Sequence, residues 1–538
     1  MAPYLNDTTL DTSTNTHEAY LKAPDFQKFD RPPRVLIIGA GSRGTAYAEA
    51  TLEGTNAIIS AVCEPVASKR AAFGRKFIWA DKSSPQSGQQ FANWKQWVEY
   101  EEERRAKQAR GVEVEAGIDA VFVCVLDEMH EEVICGIAHL KVHVCCEKPL
   151  STRLESCVRI FKTLNDAKRI DTAGGKRDPI FGICHVLRYS PHNMLLRHLA
   201  REKNIVGDIL SIEHVEPVGW WHFSHSYVRG NWRKESTSAP SLLTKSCHDI
   251  DFLMWMLCSP SSASTSPPHL PSSITSTGSL KYLRKSRKPL EAGNATNCLS
   301  CAHEPSCSYS AKKIYLDKQL AQGTTAWPVN IVTPDIEDLH ATLGADLAAQ
   351  QLLSNLAEDY DSSTPSAEVS ARNWFGRCVW ESDNDVCDDQ VVTLTWEDDE
   401  DASLGAKTAL FHMIAYTEKQ CERRGRIYGT KGEMEYDSTT ITVHDFGTGK
   451  TVAHTPHLAG GGHGGGDAGL ARQFLMAVDA VDVAGLGTGE AQRRYLGCDL
   501  EEAFRSHAVV FAAEEARTKK RVVEWESWWR ENVESQLE

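Results

Sequence analysis

The sequence predicts an α/β domain built on a parallel sheet, followed by a second, largely antiparallel sheet. Three observations carry this. Before about residue 180, short apolar runs alternate with helix-compatible stretches. The first of these runs, Val35–Ile38, leads directly into Gly39-Ala40-Gly41-Ser42-Arg43-Gly44. Beyond residue 180 the strand-like segments alternate or sit among turn residues. Strands alternating with helices imply right-handed βαβ units, whereas alternation suits an antiparallel sheet with one solvated or ligand-facing side.

Taken in order, residues 1–30 are polar and Thr-rich, with too little apolar surface to offset the entropy of ordering, and read as a disordered tail. Val35–Ile38 is too short for a helix and right for a buried strand. In the G-x-G-x-x-G loop behind it, Gly39 supplies the tight turn, Gly41 the close approach to a pyrophosphate, and Gly44 the packing of helix on strand. The phosphates would sit at the N-terminus of the following helix, where free N–H groups and the dipole favour anions. A second run, Ala57–Cys63, ends at Glu64, 20 residues past Gly44. That is the spacing of the acid that accepts hydrogen bonds from an adenosine ribose. Phe91–Arg110 reads as a helix. Gly117–Leu126 and Val142–Cys146 read as further strands, the latter ending in Glu147-Lys148-Pro149. Ligands of such sheets gather at the C-terminal strand ends, which places Gly39, Glu64, Asp127 and Glu147 together.

In the second half, Pro179–Leu187, Ile209–Glu216, Val391–Trp396 and Ala409–Ile414 read as strands. Ser259–Ser279 is Ser/Pro/Thr-rich and reads as a mobile loop, Leu356–Ala367 as a linker, and Leu496–Glu538 as helical. The expected organisation is a tail (1–30), a dinucleotide-binding domain (31–182), a substrate domain (183–500) with insertions near 259–310 and 354–405, and a C-terminal helical segment (501–538).

Composition bounds the function classes. The chain has 538 residues, 41% hydrophobic and 24% charged, enough for a large core in more than one domain. A net charge of -15 argues against nucleic acid or an anionic membrane as a main partner. No stretch reaches the length of a membrane-spanning helix, and the start lacks a secretory signal, so the expected compartment is the cytosol. Sixteen cysteines in that setting point to reduced thiols or metal ligands before disulfides.

With Gly39–Gly44, Glu64, His130 and Glu147-Lys148-Pro149 in this order, the chain resembles the Gfo/Idh/MocA oxidoreductases over roughly residues 34–260. The stretch Asp467–Val478 also resembles that family's last domain helices. The resemblance implies an α/β Rossmann domain with a doubly wound parallel sheet, joined to an α+β domain with an open, mostly antiparallel sheet. It implies a nicotinamide cofactor and a sugar, polyol or sugar-derived substrate. In such enzymes the Lys of Glu-Lys-Pro reaches both the nicotinamide ribose and the reacting hydroxyl, a part that falls to Lys148. The cofactor-binding set is then Gly39, Gly41, Ser42, Arg43, Gly44, Glu64, His130, Glu147 and Lys148. Glu64 should repel a 2′-phosphate, so NAD is preferred over NADP.

A second signature of the family places an Asp four residues before a His. Here the segment reads Thr244-Lys245-Ser246-Cys247-His248. His248 takes the role of general base, for which an ordinary pKa near neutrality is suited. Thr244 departs from the family's Asp, and Lys245 is new beside it. On one helix Lys245 and His248 would share a face, so Lys245 could bind substrate or depress His248 by like charge.

Arg188 and the segment Gly219–Trp232 interleave aromatic rings with His and Arg donors, a pattern that suits sugar binding and equally a packed core edge. The substrate candidates are Arg188, Trp221, His222, His225, Tyr227, Arg229 and, from the glycine-rich loop Ala459–Asp467, His463. That loop also resembles the His-Gly-Gly segment of NAD-dependent glycosidases in the same superfamily. Asp467 could N-cap the following helix. Cys298, Cys301 and Cys307 have a spacing that suits structural Zn²⁺ or, equally, reduced loop thiols. Three functions compete: a sugar or polyol dehydrogenase, a glycosidase or lyase-type enzyme that oxidises its substrate only transiently, and a non-catalytic dinucleotide sensor. A homo-oligomer paired through the open sheet is also expected.

Overall fold

The computed structural model describes residues 18–79, 84–169, 178–259, 267–399, 404–458 and 462–537. Its first sheet is formed by β1 (Arg34–Ile38), β2 (Ile58–Cys63), β3 (Gln90–Phe91), β4 (Ala120–Val123), β5 (His143–Cys146) and β6 (Phe181–Ile183). The strand order is β3-β2-β1-β4-β5-β6, and every neighbouring pair is parallel. These strands are apolar runs because both faces are covered: β4 and β5 are buried at every position. The order reverses between β1 and β4, which opens a crevice beyond the strands' C-terminal ends.

One face of this sheet is completed from far along the chain. The helix Gly466–Asp482 packs on the helix Ser42–Gly54. Its Phe474 meets Phe122 of β4 edge-on at 5.3 Å, and Phe122 stacks on Tyr47 at 5.0 Å. The N-terminal stretch contributes too. Residues 1–17 lie outside the described residues, but Tyr20 and Phe29 are buried and Gln27 bridges to Thr55, so residues 18–30 pack on the body instead of trailing from it.

The second sheet is formed by β7 (Ile209–Pro217), β8 (Ser273–Ser279), β9 (Asp389–Trp396), β10 (Lys407–Ile414), β11 (Arg424–Gly429), β12 (Gly432–Tyr436), β13 (Ile441–Asp445), β14 (Thr451–His454) and β15 (Val523–Glu524). Its order is β14-β13-β12-β11-β7-β10-β9-β8-β15; β7 and β10 pair in parallel and every other pair is antiparallel. Burial alternates along β9 and β10, as a one-sided sheet requires. The inner face, with Ile212, Leu394, Phe411 and Met434, is fully buried, and the helices Cys247–Leu257 and Leu500–Lys519 pack on this side of the molecule. On the outer face Leu210 and Leu410 are exposed.

Two expectations need correction here. Ser273–Ser279 is not a loop but strand β8, between β9 and β15. Its Ile and Thr residues suit a pleated surface, and Ile274 is fully buried; residues 260–266 lie outside the described residues. The two separate insertions are one excursion between β8 and β9. It carries its own core of Tyr315, Ile336, Leu352, Leu356 and Phe375, drawn from the helices Ile336–Leu343 and Ala345–Ala357 and from shorter turns.

Candidate active site

The glycine loop is built as its sequence requires. Gly39 has φ of 100°, and a Cβ there would meet the Cys124 carbonyl oxygen at 2.4 Å. A Cβ on Gly44 would lie 2.0 Å from the Gly39 carbonyl oxygen, whereas one on Gly41 would meet nothing within 4 Å. The helix Ser42–Gly54 therefore begins at an open cradle, and no side chain caps its N-terminus. Glu64 ends β2 beside this loop. Its carboxylate accepts hydrogen bonds from the Ala40 and Val66 amides, both at 2.9 Å.

Arg43 leans across the crevice. It pairs with Glu147 at 2.6 Å and with Asp467 at 2.6 Å, and donates to the Tyr47 hydroxyl at 2.8 Å. Asp467 does not cap its helix, whose N-cap is Gly465; it is occupied by Arg43 and His463. Burial opposes charge on Glu147, but Arg43 and then Lys148 hold its carboxyl below the usual range. His130 does not face the cleft. It is fully buried, its ring between the carbonyls of Pro149 (2.7 Å) and Val125 (3.3 Å). It can influence a cofactor only by fixing the turn that carries Glu147 and Lys148.

Lys148 spans the junction of the two domains: its Nζ donates to the Thr244 carbonyl at 2.8 Å. His248 is 4% exposed, and its ring lies 5.8 Å from that of His463 and 5.9 Å from that of His185. Burial, then the charge of Lys148, push its pKa well below the ordinary imidazole value. His248 therefore stands neutral, able to accept a proton. His463 sits at φ 55°, a left-handed conformation uncommon outside glycine. It contacts Asp467 at 3.3 Å and keeps a side-chain exposure of 30%. The sequence's weakest-looking candidate is thus brought beside His248.

Lys245 does not share a helix face with His248. The helix Ser241–Thr244 ends before it, and the helix Cys247–Leu257 begins after Ser246. Its Nζ turns away to Glu216 (3.1 Å) and Cys421 Sγ (2.9 Å). Burial disfavours its charge, but Cys421 and Glu216 raise its pKa above the ordinary lysine value. Glu216 and Asp249 are bridged by Arg423 at 2.9 and 2.8 Å, which gives a buried run of alternating charge beneath His248.

The aromatic segment divides. Trp221 and His222 are half-buried, whereas Tyr227 is buried and stacked on Phe223 and Trp232. His225 is held by the Tyr315 hydroxyl (2.9 Å) and stacked on Phe375; burial and Arg229 lower its pKa to about 3. Arg229 donates to the Arg377 and Tyr309 carbonyls, both at 2.7 Å. Both residues anchor the excursion and do not face a substrate. Arg188 is likewise fully buried, forking onto Asp251 at 2.7 Å and pairing with Glu502 at 2.9 Å. Guanidinium groups whose hydrogen bonds all run to other interior groups are structural, and the sequence could not show their partners.

Cys298, Cys301 and Cys307 line a small cavity with Cys378, but they do not form a metal centre. Among the described residues no group of three or more His, Cys, Asp or Glu side chains is arranged to hold a metal ion. Arg229 donates to Cys298 Sγ at 3.4 Å, a cation where a metal would be repelled. Asp127, expected at the strand ends with Glu64 and Glu147, lies just past β4. Its buried carboxylate accepts from Trp232 Nε1 at 2.9 Å, and burial raises its pKa despite His130 and Lys148. Cys421 and Trp327 carried no sequence signal.

Residues 33–174 match the family described as "Oxidoreductase family, NAD-binding Rossmann fold", the Gfo/Idh/MocA group. The chain is 27% identical over 140 residues to 2,7-anhydro-N-acetylneuraminate hydratase of Escherichia coli, which covers 26% of this chain and 34% of that protein. It is 26% identical over 144 residues to inositol 2-dehydrogenase 2 of Saccharopolyspora erythraea, covering 27% and 36%. The chain thus matches about a third of these curated relatives' length. Levoglucosan dehydrogenase, solved with NADH and levoglucosan, superposes with a TM-score of 0.55 at 12% identity, over 92% of this chain and 99% of that one. At that identity the likeness speaks for the fold. The match is confined to the parallel-sheet domain, residues 33–174, which is similar to the Gfo/Idh/MocA oxidoreductases. Its nucleotide fold is that of a nicotinamide-dependent oxidoreductase family. No helix among the described residues is long and apolar enough to cross a membrane.

Proposed function

We propose that the protein is a dehydrogenase acting on a secondary alcohol of a sugar, polyol or sugar-derived substrate. The observation that carries this is the hydrogen bond from Lys148, just after β5, to the Thr244 carbonyl of the second domain, four residues before His248, whose pKa burial and then the Lys148 charge lower. The residues fit a dinucleotide: the open space over Gly41, the uncapped helix end and Glu64 beside the loop are what a pyrophosphate and an adenosine ribose need. The chemistry supplied by a bound nicotinamide is hydride acceptance. Lys148 orients the substrate hydroxyl and stabilises developing alkoxide charge at its Nζ. His248 takes the hydroxyl proton, and its depressed pKa keeps it ready to do so at neutral pH. Asp467 holds His463 against His248 from the other side.

The test is incubation of the full chain with NAD⁺ and a panel of sugars and polyols, with NADH followed by absorbance. Stoichiometric NADH is expected, with tighter binding of NADH than of NADPH, because Glu64 would face a 2′-phosphate with like charge. Tighter NADPH binding would overturn the cofactor preference. His463 beside His248 favours a second reading, in which the substrate is oxidised only transiently and then cleaved or hydrated; product without accumulating NADH would select it. Pairing of copies through the outer face of the second sheet is a further expectation, checked by light scattering.

A further inference from the structure

We propose that Trp327, carried by the excursion between β8 and β9, forms with Trp221 and His222 an outer subsite for a second sugar ring. That ring would be joined to the one oxidised at Lys148 and His248, and only this identification of the reacting ring rests on the dehydrogenase reading.

The three rings come from two independent pieces of chain. Trp221 and His222 follow β7, and Trp327 belongs to the excursion. The Trp327 ring lies 5.5 Å from Trp221 at an interplanar angle of 39°, and 5.0 Å from His222 edge-on at 77°. The excursion is anchored to this spot from beneath, by His225 on Tyr315 and Arg229 on Tyr309. Its internal core therefore fixes where Trp327 stands.

Trp221 rests in part on the excursion's core, yet none of the three rings is closed off from the surface. Trp97, Trp255 and Trp396 are at most 1% exposed, as core indoles are. Trp221, His222 and Trp327 all remain half-buried. His222 links them to the chemistry: burial, then the charges of Lys245, His225, His463 and Lys148, depress its pKa. Its Nδ1 meets Cys421 Sγ at 3.4 Å, so Nε2 is the nitrogen left to accept or donate a hydrogen bond with a ligand, while the indoles offer apolar surface. That combination matches a pyranose ring, whose C–H face stacks and whose rim hydroxyls hydrogen-bond. A single monosaccharide engaged by Lys148, His248 and His463 would leave these faces bare.

The experiment measures binding of cellobiose, maltose and lactose, their component monosaccharides and matching aryl glycosides to the NAD-loaded full chain, by ligand-observed NMR. Wild type is compared with Trp327→Ala and Trp327→Phe, with melting temperature as the check on folding. Expected are tighter binding of at least one disaccharide than of its monosaccharides, and a loss of about tenfold or more for it in Trp327→Ala. Monosaccharide binding should stay within about twofold, and Trp327→Phe should recover most of the loss. Equal effects on both ligand sizes, or no disaccharide preference in wild type, would overturn the subsite. Preference for aryl glycosides would overturn the second-sugar assignment. Trp327-dependent disaccharide binding with no NADH from any sugar would leave the subsite standing and remove the dehydrogenase reading.

Discussion

At the scale of single residues, the site separates groups that do chemistry from groups that hold the fold. Lys148→Met and His248→Asn should each lower kcat by about 10²–10⁴ while NAD affinity, which rests on the glycine loop and Glu64, stays near wild type. Lys148 also has a pH signature. It is the largest charge depressing His248 after burial, so in Lys148→Met the acid limb of residual activity should move to higher pH. An unmoved limb would mean that His248 is not the titrating base. Arg188→Met makes the opposite kind of change. It leaves Asp251 buried without its fork, which costs about 3–5 kcal/mol. The variant should therefore lose melting temperature, with KM unchanged in whatever folds. These roles were unequally legible. Gly39, Gly44 and Glu64 could be read because their reasons are local. Arg188, His225 and Arg229 could not, because Asp251, Tyr315 and Tyr309 lie 63, 90 and 80 residues away.

At the scale of elements, the turn after β1 gives the sharpest contrast. A methyl on Gly41 enters open space, whereas a methyl on Gly44 collides with backbone at 2.0 Å. Gly41→Ala should keep the wild-type melting temperature and weaken dinucleotide binding. Gly44→Ala should lower the melting temperature, because the helix Ser42–Gly54 has to lift off β1. Calorimetry and fluorescence titration read the two effects separately; equal losses of stability would sink the cradle reading. β3 overlaps the start of the expected helix, and β6 belongs to the parallel sheet although Pro179–Leu187 was read with the second half, whereas β1, β2, β4 and β5 were legible as continuous apolar runs. β8 was not: its Ser, Thr and Gly residues resemble a linker, and only pairing with β9 and β15 makes them a strand. The break between Thr244 and Cys247 was also hidden, since nothing in Lys245-Ser246 forbids helix.

At the scale of the whole molecule, the junction is lined with buried neutral histidines. Burial depresses His185 and His225 to about 3 and His507 to about 4. In the unfolded chain each would titrate near 6.5, about the ordinary imidazole value. Folded-state pKa values below unfolded ones mean that the unfolded chain binds more protons in between. Stability should therefore be fully present above about pH 6.5 and fall steadily toward pH 4. Melting curves across that window check this, and His507→Gln should flatten the slope. A profile independent of pH would show these rings to be charged or solvated. The two-sheet architecture itself was legible in the change of strand pattern near residue 180. The single excursion was not, because its core joins helices and turns spread from Cys298 to Phe375.

The return of Gly466–Asp482 to the first sheet has a consequence for how the protein is made. Tyr47 and Phe122 leave the ribosome early, yet their partner Phe474 follows only after the whole second sheet except β15. At about 5–20 residues per second, that delay of roughly 350 residues after Phe122 is on the order of 18–70 s. During synthesis the nucleotide-binding half must carry a bare aromatic face. A nascent chain halted before Gly466 is therefore a natural client for chaperones.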